Sequence, residues 1–238
     1  NPITKILNKH LINIYNKPMI FYPISVLLLL GIKKIFIITN KKDVDDFKMI
    51  LNLGKKVSIN YIVQKNPNGI VDALKTCNPY IKKEDAVVLL GDNFIYGSFL
   101  IKNLKKIINS KKSKSQALTF FTNKPENYGI LNKKKNKVIE KPQSLNKGLA
   151  VIGIYFLKNK YLKYLYEVKK SKNKEFEISN YLNLLIKKNY IEFNMLSRSI
   201  NWWDCGSFED LSDASVFVKN TEKLNGYKIA DLNEILKQ

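Results

Sequence analysis

Residues 86–93 read Ala-Val-Val-Leu-Leu-Gly-Asp-Asn. A short apolar run, rich in valine and entered through the charged Lys83-Glu84-Asp85, is the pattern of a strand covered on both faces, as in a parallel sheet. Gly91 ends the run, and Asp92 stands just past its carboxyl end. Two more runs share this character, KIFIIT at 34–39 and ALTFF at 117–121. Around them the pattern alternates. Pro18 suits a first helical residue, and 19–30 reads as a buried helix stopped by Gly31. Helices are expected at 43–51 and 72–77, and a strand at 57–63. Leu100, Leu104, Ile107 and Ile108 fall on one face of a further helix. This βαβα order predicts an α/β fold of three layers with a mostly parallel central sheet. Ligands of such sheets sit beyond the carboxyl ends of the strands, which is where Asp92 lies.

The second half changes character from about Lys124. Residues 128–131 and 138–141 read as a hairpin around the charged turn 132–137, and 149–156 as another apolar strand with Gly153 inside it. A helix is expected at 178–186 and an alternating strand at 191–196. Trp202-Trp203-Asp204-Cys205-Gly206 reads as a strand end, followed by a helix from Ser207. Ser207 is a natural N-cap, Asp210 completes a weak capping box, and Leu211, Ala214 and Val218 form the buried stripe. The whole of 1–238 is expected to be a single domain.

Composition narrows the function classes. The chain has 238 residues, enough to bury a sizeable core, and its 45% apolar content excludes a disordered chain. Lys+Arg number 41 against 20 Asp+Glu, giving a net charge of +21. Arg198 is the sole arginine, and Asn and Ile abound beside Lys, a pattern of compositional drift rather than of selection for a polyanion. Sequence-specific DNA readers rely on the bidentate fork of arginine, so no specific nucleic-acid partner is expected. A basic surface still favours weak, salt-sensitive binding to nucleic acid. Cys77 and Cys205 lie too far apart for a zinc or disulfide framework, and a reducing, cytoplasmic setting is expected. The longest apolar run, 19–30, is short of the ~20 residues that span a bilayer and contains Pro23, so no membrane partner is expected either. No charged-then-apolar leader pattern is visible.

Three groups of residues could carry chemistry. Asp92 and Asp204 each follow a strand, where two carboxylates can hold Mg²⁺ on phosphate oxygens; alternatively each only closes a turn. Lys9 and Lys141 stand out from the many solvated lysines, Lys141 because it follows a strand and is locked by Pro142; such a lysine can act as a point charge on phosphate. Gln64-Lys65-Asn66-Pro67-Asn68-Gly69 follows a strand and is either a plain turn or a loop whose glutamine amide reads a pyrimidine edge. His10, the sole histidine, is expected to be structural or at the surface, and no Ser/His/Asp triad, thiolate cluster or G-x-x-x-x-G-K-[ST] loop can be assembled.

In order along the chain stand Lys9-His10-Leu11, Tyr15-Asn16-Lys17-Pro18-Met19-Ile20, Gln64 to Gly69, Leu90-Gly91-Asp92-Asn93, Tyr128-Gly129, Ile139-Glu140-Lys141-Pro142, Gly153-Ile154-Tyr155, Phe176-Glu177-Ile178-Ser179, Trp203-Asp204-Cys205-Gly206 and Gly226-Tyr227-Lys228-Ile229-Ala230. Each motif alone is weak; as an ordered set covering nearly the whole chain, they resemble the sugar-1-phosphate nucleotidylyltransferases, in their thymidylyl-transferring branch.

The resemblance implies a Rossmann-like nucleotidyltransferase fold, with 1–123 forming the nucleotide-binding part and 124–238 the sugar-binding part. It implies Mg²⁺-dependent transfer from dTTP, or UTP, to glucose-1-phosphate, giving dTDP-glucose and pyrophosphate. Lys9, Asp92 and Lys141 would be catalytic, and Asp92 and Asp204 would hold the metal. Gln64, Pro67, Gly69 and Asp92 would bind the nucleotide; Gly129, Glu140, Lys141, Val151, Tyr155 and Lys174 would bind the sugar. A homo-oligomer is implied, a tetramer being common in the family.

Four departures qualify this. In the family a strand and a Gly-rich phosphate loop precede the position of Asn1, so the domain is expected to be truncated at its amino end. Asn173 and Lys174 stand where an arginine is common, and Cys205 replaces a common threonine. Further helices commonly follow the position of Gln238. Two other readings therefore stand beside the enzyme: a truncated or degenerate homologue that binds sugar nucleotides without catalysis, and a basic nucleic-acid-binding protein.

Overall fold

The computed structural model describes residues 8–110, 112–171 and 174–237. Asn173, singled out above, and the segment before Asn8 lie outside them, as does any expectation about a preceding strand or loop. The elements run β1 (Asn13–Ile14), β2 (Lys17–Pro18), α1 (Phe21–Leu29), β3 (Lys34–Thr39), α2 (Val44–Ile50), β4 (Ser58–Val63), α3 (Ile70–Ile81), β5 (Ala86–Leu89), β6 (Asn93–Gly97) and α4 (Leu100–Ile108). They continue with β7 (Ser115–Thr122), β8 (Gly129–Asn132), β9 (Lys137–Glu140), β10 (Gly148–Leu157), α5 (Ile178–Lys187), β11 (Ile191–Met195), β12 (Ile200–Asp204), α6 (Phe208–Asn225) and α7 (Leu232–Ile235).

β10 organises the molecule. It lies between β7 and β5 and runs antiparallel to both, while β11 adds to β7 in parallel. β5, β7 and β11 thus share one direction, and β10 opposes them. On the edge away from β7, Ala150 pairs with Ile130 of β8, and Ile154 to Leu157 pair with β5. The changeover falls at Gly153, where the β7 register also shifts. The expectation of parallel pairing is met at β3–β4 and β7–β11; around β10 the ladders are antiparallel, so the sheet as a whole is mixed. Apolar patterning marks a strand as buried but does not fix its direction. β10 follows directly on the β8–β9 hairpin, and antiparallel neighbours need no crossover helix.

Both faces of this sheet are covered, which makes the three layers. On one face Ala117, Tyr155 and Leu157 pack with Val71 and Leu74 of α3 and Tyr181, Leu182 and Leu185 of α5. On the other, Leu118, Ile152 and Ile154 pack with Val26 of α1 and Leu100 and Leu104 of α4. Each of the valine, leucine and isoleucine side chains among them, fully buried, contributes roughly 1.5–3 kcal/mol, before conformational entropy is set against it.

Some expectations change. Pro18 is not the first residue of a helix: it pairs with Asn13 in the β1–β2 ribbon, and α1 starts at Phe21. The ribbon packs its Ile14 with Tyr22, Phe94 and Val218, so tertiary burial overrides the local proline signal. Gly31 does end that helix, at φ +83°. β5 is half-buried along its length rather than strongly buried, because it borders a cleft of about 1040 Å³ that also runs along β3. Among the described residues β3 pairs only with β4, and β5 only with β10. β6, β1, β2 and α7 are additional to the elements read from sequence. Among the described residues no helix is long and apolar enough to cross a membrane.

Candidate active site

The strand quoted first delivers its aspartate to the fork where β10 passes from β8 to β5. After β5, Leu90 N–H donates to the Gly153 carbonyl (2.9 Å), and the turn through Gly91 and Asp92 leads straight into β6. β6 pairs antiparallel with β12, so that Asn93 faces Asp204. Cys205 N–H donates to the Asp92 carbonyl (2.9 Å), stitching the two strand ends together. Asp92 and Asp204, separated by more than a hundred positions in sequence, are thereby brought to one place.

Lys9 Nζ pairs with Asp92 Oδ2. Lys9, Asp92 and Lys141 line the same cleft. Burial pushes the Asp92 carboxyl up, but the charge and hydrogen bond of Lys9, helped by His10 and Asn93, outweigh it and hold Asp92 below its ordinary range. Asp204 goes the other way. Burial and then the negative charge of Asp92 push it up to about 6, against the pull of Lys9 and the Gly206 N–H. Two half-buried carboxylates that repel each other, with the Lys9 ammonium paired to one of them, leave a net negative site. Among the described residues no group of three or more His, Cys, Asp or Glu gathers. A cation here would rest on two carboxylates with phosphate and water filling the rest. That donor set suits Mg²⁺ and does not suit zinc.

The Asp92 carboxylate is supported from behind by residues that sequence reading passed over. Asn93, almost fully buried, donates from Nδ2 to Asp92 Oδ1 (3.1 Å) and accepts from Trp202 Nε1 (2.7 Å) and Gly153 N–H (3.2 Å). Trp202 is itself packed on Tyr128, ring centroids 5.0 Å apart, and on Phe120 at 5.8 Å. The available signal was the Trp202-Trp203 pair just before Asp204, since a buried indole N–H needs an acceptor. His10, expected to be structural or at the surface, packs against Gly91. Its ring lies where a Cβ on Gly91 would come within 3.0 Å, and burial lowers its pKa to about 4, so it is neutral at pH 7.

Of the residues expected for a sugar, Gly129, Glu140, Val151 and Tyr155 lie on the β8–β9 hairpin and β10 with Lys141 just after β9, whereas Lys174 lies on neither element. Gly129 pairs with Glu140, and a Cβ there would come within 3.3 Å of the Glu140 carboxylate. Glu140 is shifted upward, by burial first and by Glu177, while a hydrogen bond with Ser179 and the charge of Lys141 oppose this. Tyr155 is buried in β10, with Glu140 and Asp92 as its charged neighbours. Lys141 takes a left-handed backbone, φ +42°, and its N–H donates to the Tyr128 carbonyl (3.0 Å). Val151 sits two residues before the Gly153 changeover. Lys174 is exposed in a left-handed turn, φ +61°, two residues before Phe176.

Phe176 clamps the third group, the loop after β4. Its N–H donates to the Asn68 carbonyl (2.8 Å), and its carbonyl accepts from Val71 N–H (3.2 Å). Gly69 has φ +99°, and a Cβ there would lie 2.8 Å from the Phe176 carbonyl oxygen, so only glycine fits. Pro67 is exposed on this loop, and Gln64 N–H continues the β3–β4 ladder to the Thr39 carbonyl (2.9 Å).

With this geometry in hand, comparison with known proteins is specific. The nucleotidyl transferase family profile matches residues 1–221. A glucose-1-phosphate thymidylyltransferase of Neisseria meningitidis is 32% identical over 240 aligned positions, covering 98% of this chain and 83% of the relative. One from Mycolicibacterium smegmatis is 30% identical, covering 99% and 83%. A Bacillus anthracis crystal structure, assigned as a glucose-1-phosphate thymidylyltransferase and in complex with a sucrose, superposes with a TM-score of 0.81 at 31% identity, covering 91% and 88%. A UDP-glucose pyrophosphorylase bound to UDP-glucose shares the fold, with a TM-score of 0.81 at 24% identity, covering 92% and 93%. The chain belongs to the nucleotidyl transferase family.

Proposed function

We propose that this nucleotidyl transferase is a glucose-1-phosphate thymidylyltransferase, making dTDP-glucose and pyrophosphate from dTTP and glucose-1-phosphate with Mg²⁺. The observation that carries the reading is the convergence of Lys9, Asp92 and Asp204 beyond the carboxyl end of β5, Lys9 and Asp92 lining a cleft that Lys141 also lines. A sugar-phosphate oxygen forms a bond to the α-phosphorus of the triphosphate; the bond from that phosphorus to the β-bridging oxygen breaks, and pyrophosphate leaves. No covalent enzyme intermediate is needed, so the protein's task is positioning and charge. Asp92 and Asp204 would hold the Mg²⁺, whose charge, when bound, neutralises phosphate oxygens. Lys141, fixed by its backbone bond to Tyr128 and by Pro142, holds the sugar phosphate near the reacting phosphorus. Lys9, paired with Asp92 here, would bring its positive charge to the triphosphate. Glu140 and the Gly129 backbone receive sugar hydroxyls. The same reading takes the enzyme to act in the cytoplasm as a homo-oligomer; the free, buried Cys77 and Cys205 fit a reducing setting.

Thymine and uracil share the imide edge that a glutamine such as Gln64 can read, so UTP is the second donor to assay. The test is pyrophosphate release from dTTP and glucose-1-phosphate with and without Mg²⁺. Asp92→Asn should lower turnover about a thousandfold, since metal-based charge stabilisation is worth several kcal/mol, while far-UV circular dichroism stays unchanged. Absence of turnover by the wild-type protein with every nucleoside triphosphate and hexose-1-phosphate tried would sink the proposal.

A further inference from the structure

We infer that Asp72 is a positioning residue that sets base selectivity by holding the Gln64 amide in one orientation. The inference rests on the proposed reading in which Gln64 meets the nucleobase. Gln64 cannot drift, because its backbone N–H is tied to Thr39 at the end of β3 (2.9 Å). Its side chain donates from Nε2 to Asp72 Oδ2 at 2.7 Å, and both residues are partly buried. Asp72 is fixed in turn by the first turn of α3, where its carbonyl accepts from Thr76 Oγ1 (2.9 Å). The loop between them is clamped by Phe176 and by the left-handed Gly69.

The chemistry of the partner decides the orientation. A carboxylate only accepts hydrogen bonds, so it admits the NH₂ side of a glutamine amide and repels the carbonyl side. Turning the Gln64 amide over would set two acceptors against each other in a partly buried place, losing a charge-assisted bond. Asp72 therefore leaves Oε1 as the acceptor that Gln64 offers on its other side. Thymine and uracil present an N3–H donor to such an oxygen. Cytosine presents a bare N3, itself an acceptor, and is rejected by the same lone-pair repulsion. Without Asp72 the amide turns over freely and serves either base. Selectivity at this site is thus set one step back from the residue that makes the contact, by a partner eight positions further along the chain.

The test compares kcat/KM for dTTP and dCTP in wild type, Asp72→Asn, Asp72→Ala and Asp72→Glu. Asp72→Asn and Asp72→Ala should each reduce the dTTP-to-dCTP ratio about tenfold, the size expected for one hydrogen bond's discrimination. The change should come through a higher KM for dTTP and a lower one for dCTP, with kcat little altered. Asp72→Glu, which keeps an acceptor-only partner, should recover part of the ratio. A merely structural role would lower both activities together and leave the ratio alone; an unchanged ratio in both variants overturns the inference. Equilibrium dialysis with dTDP and dCDP separates this from failure of the function itself. If the wild type turns over no substrate yet prefers dTDP, and Asp72→Asn loses that preference, the inference stands while the proposed reaction falls. A wild type that binds the two equally overturns it.

Discussion

His10 shows what one residue's surroundings do to its chemistry. Its ring sits against Gly91, between Lys9 and Asp43 and near Asp92, and burial dominates these charges to bring its pKa from 6.5 down to about 4. The unfolded chain takes up a proton on this ring below pH 6.5, whereas the folded one resists until about pH 4. Between those values the unfolded state binds more protons, so the stability contribution is complete above 6.5 and is lost as pH falls toward 4. The loss is on the order of 1–3 kcal/mol, the lower end allowing for the surface the ring keeps. Urea midpoints at pH 7.5 and 5.0 should therefore fall less for His10→Gln than for wild type; equal falls would show that the imidazole is not the group responsible. At this scale the placement of Asp92, Asp204 and Lys141 at or just past strand ends was legible, since each stands at the end of an apolar or alternating run. The roles of Asn93, Trp202 and Asp72 were not. Trp202 and Asn93 meet across 109 positions, and no local pattern records a hydrogen bond of that reach; Asp72 meets Gln64 only eight positions away, but through a loop whose shape is set by Phe176 from far along the chain.

At the scale of elements, β10 explains why the site sits where it does. Its edge serves β8 before Gly153 and β5 after it, so the two partner strands diverge there and leave the fork in which Asp92 lies. Gly153 makes this possible through close approach rather than through unusual backbone. A Cβ at that position would lie 2.6 Å from Leu90 Cγ and 2.8 Å from Leu90 Cβ. Leu90 cannot yield without moving Gly91 and Asp92, which follow it directly. Gly153→Ala should thus cost about 1–3 kcal/mol by overpacking. It should also reduce turnover more than an equally destabilising change remote from the fork. Activity assays at matched fraction folded measure this, and a variant with normal activity would place the fork's geometry elsewhere. Buried strands such as β3 were legible to their end residues because β-branched runs between charges leave little choice. β6, Asn-Phe-Ile-Tyr-Gly, was not, because it follows a turn without alternation and owes its strand form to its ladder with β12. The single glycine inside β10 was visible, but the change of partner at that glycine was not, because pairing belongs to the assembled sheet.

For the whole molecule the question is how a chain of net charge +21 holds together. Its acids are scarce, and placement matters more than number. Asp45 pairs with Lys48 on α2 at 3.0 Å, yet their side chains are 91% and 57% exposed, where an ion pair is worth little. Glu222 differs. It and Lys17 are each 11% exposed and meet at 2.8 Å. The same carboxylate accepts from Asn16 Nδ2 (3.1 Å) and Ile229 N–H (2.8 Å). One side chain on α6 thereby fastens the β1–β2 ribbon, which follows Lys9, to the segment that leads into α7. Burial alone would raise its pKa, but the bonds from Lys17, Ile229 and Asn16 prevail and hold it low. Removing this partner strands the Lys17 ammonium in a nearly closed place amid an excess of positive charge. Glu222→Gln should therefore cost about 2–4 kcal/mol, as for one-sided loss of a buried pair, and Asp45→Asn under about 0.5 kcal/mol. Salt discriminates the two causes further. Screening at about 0.5 M NaCl weakens surface pairs and eases general repulsion but hardly reaches a buried one, so the Glu222→Gln deficit in urea unfolding should persist there. A deficit that disappears in salt would mean that Glu222 acts by lowering overall charge, and that its tie between the β1–β2 ribbon and the segment before α7 contributes little.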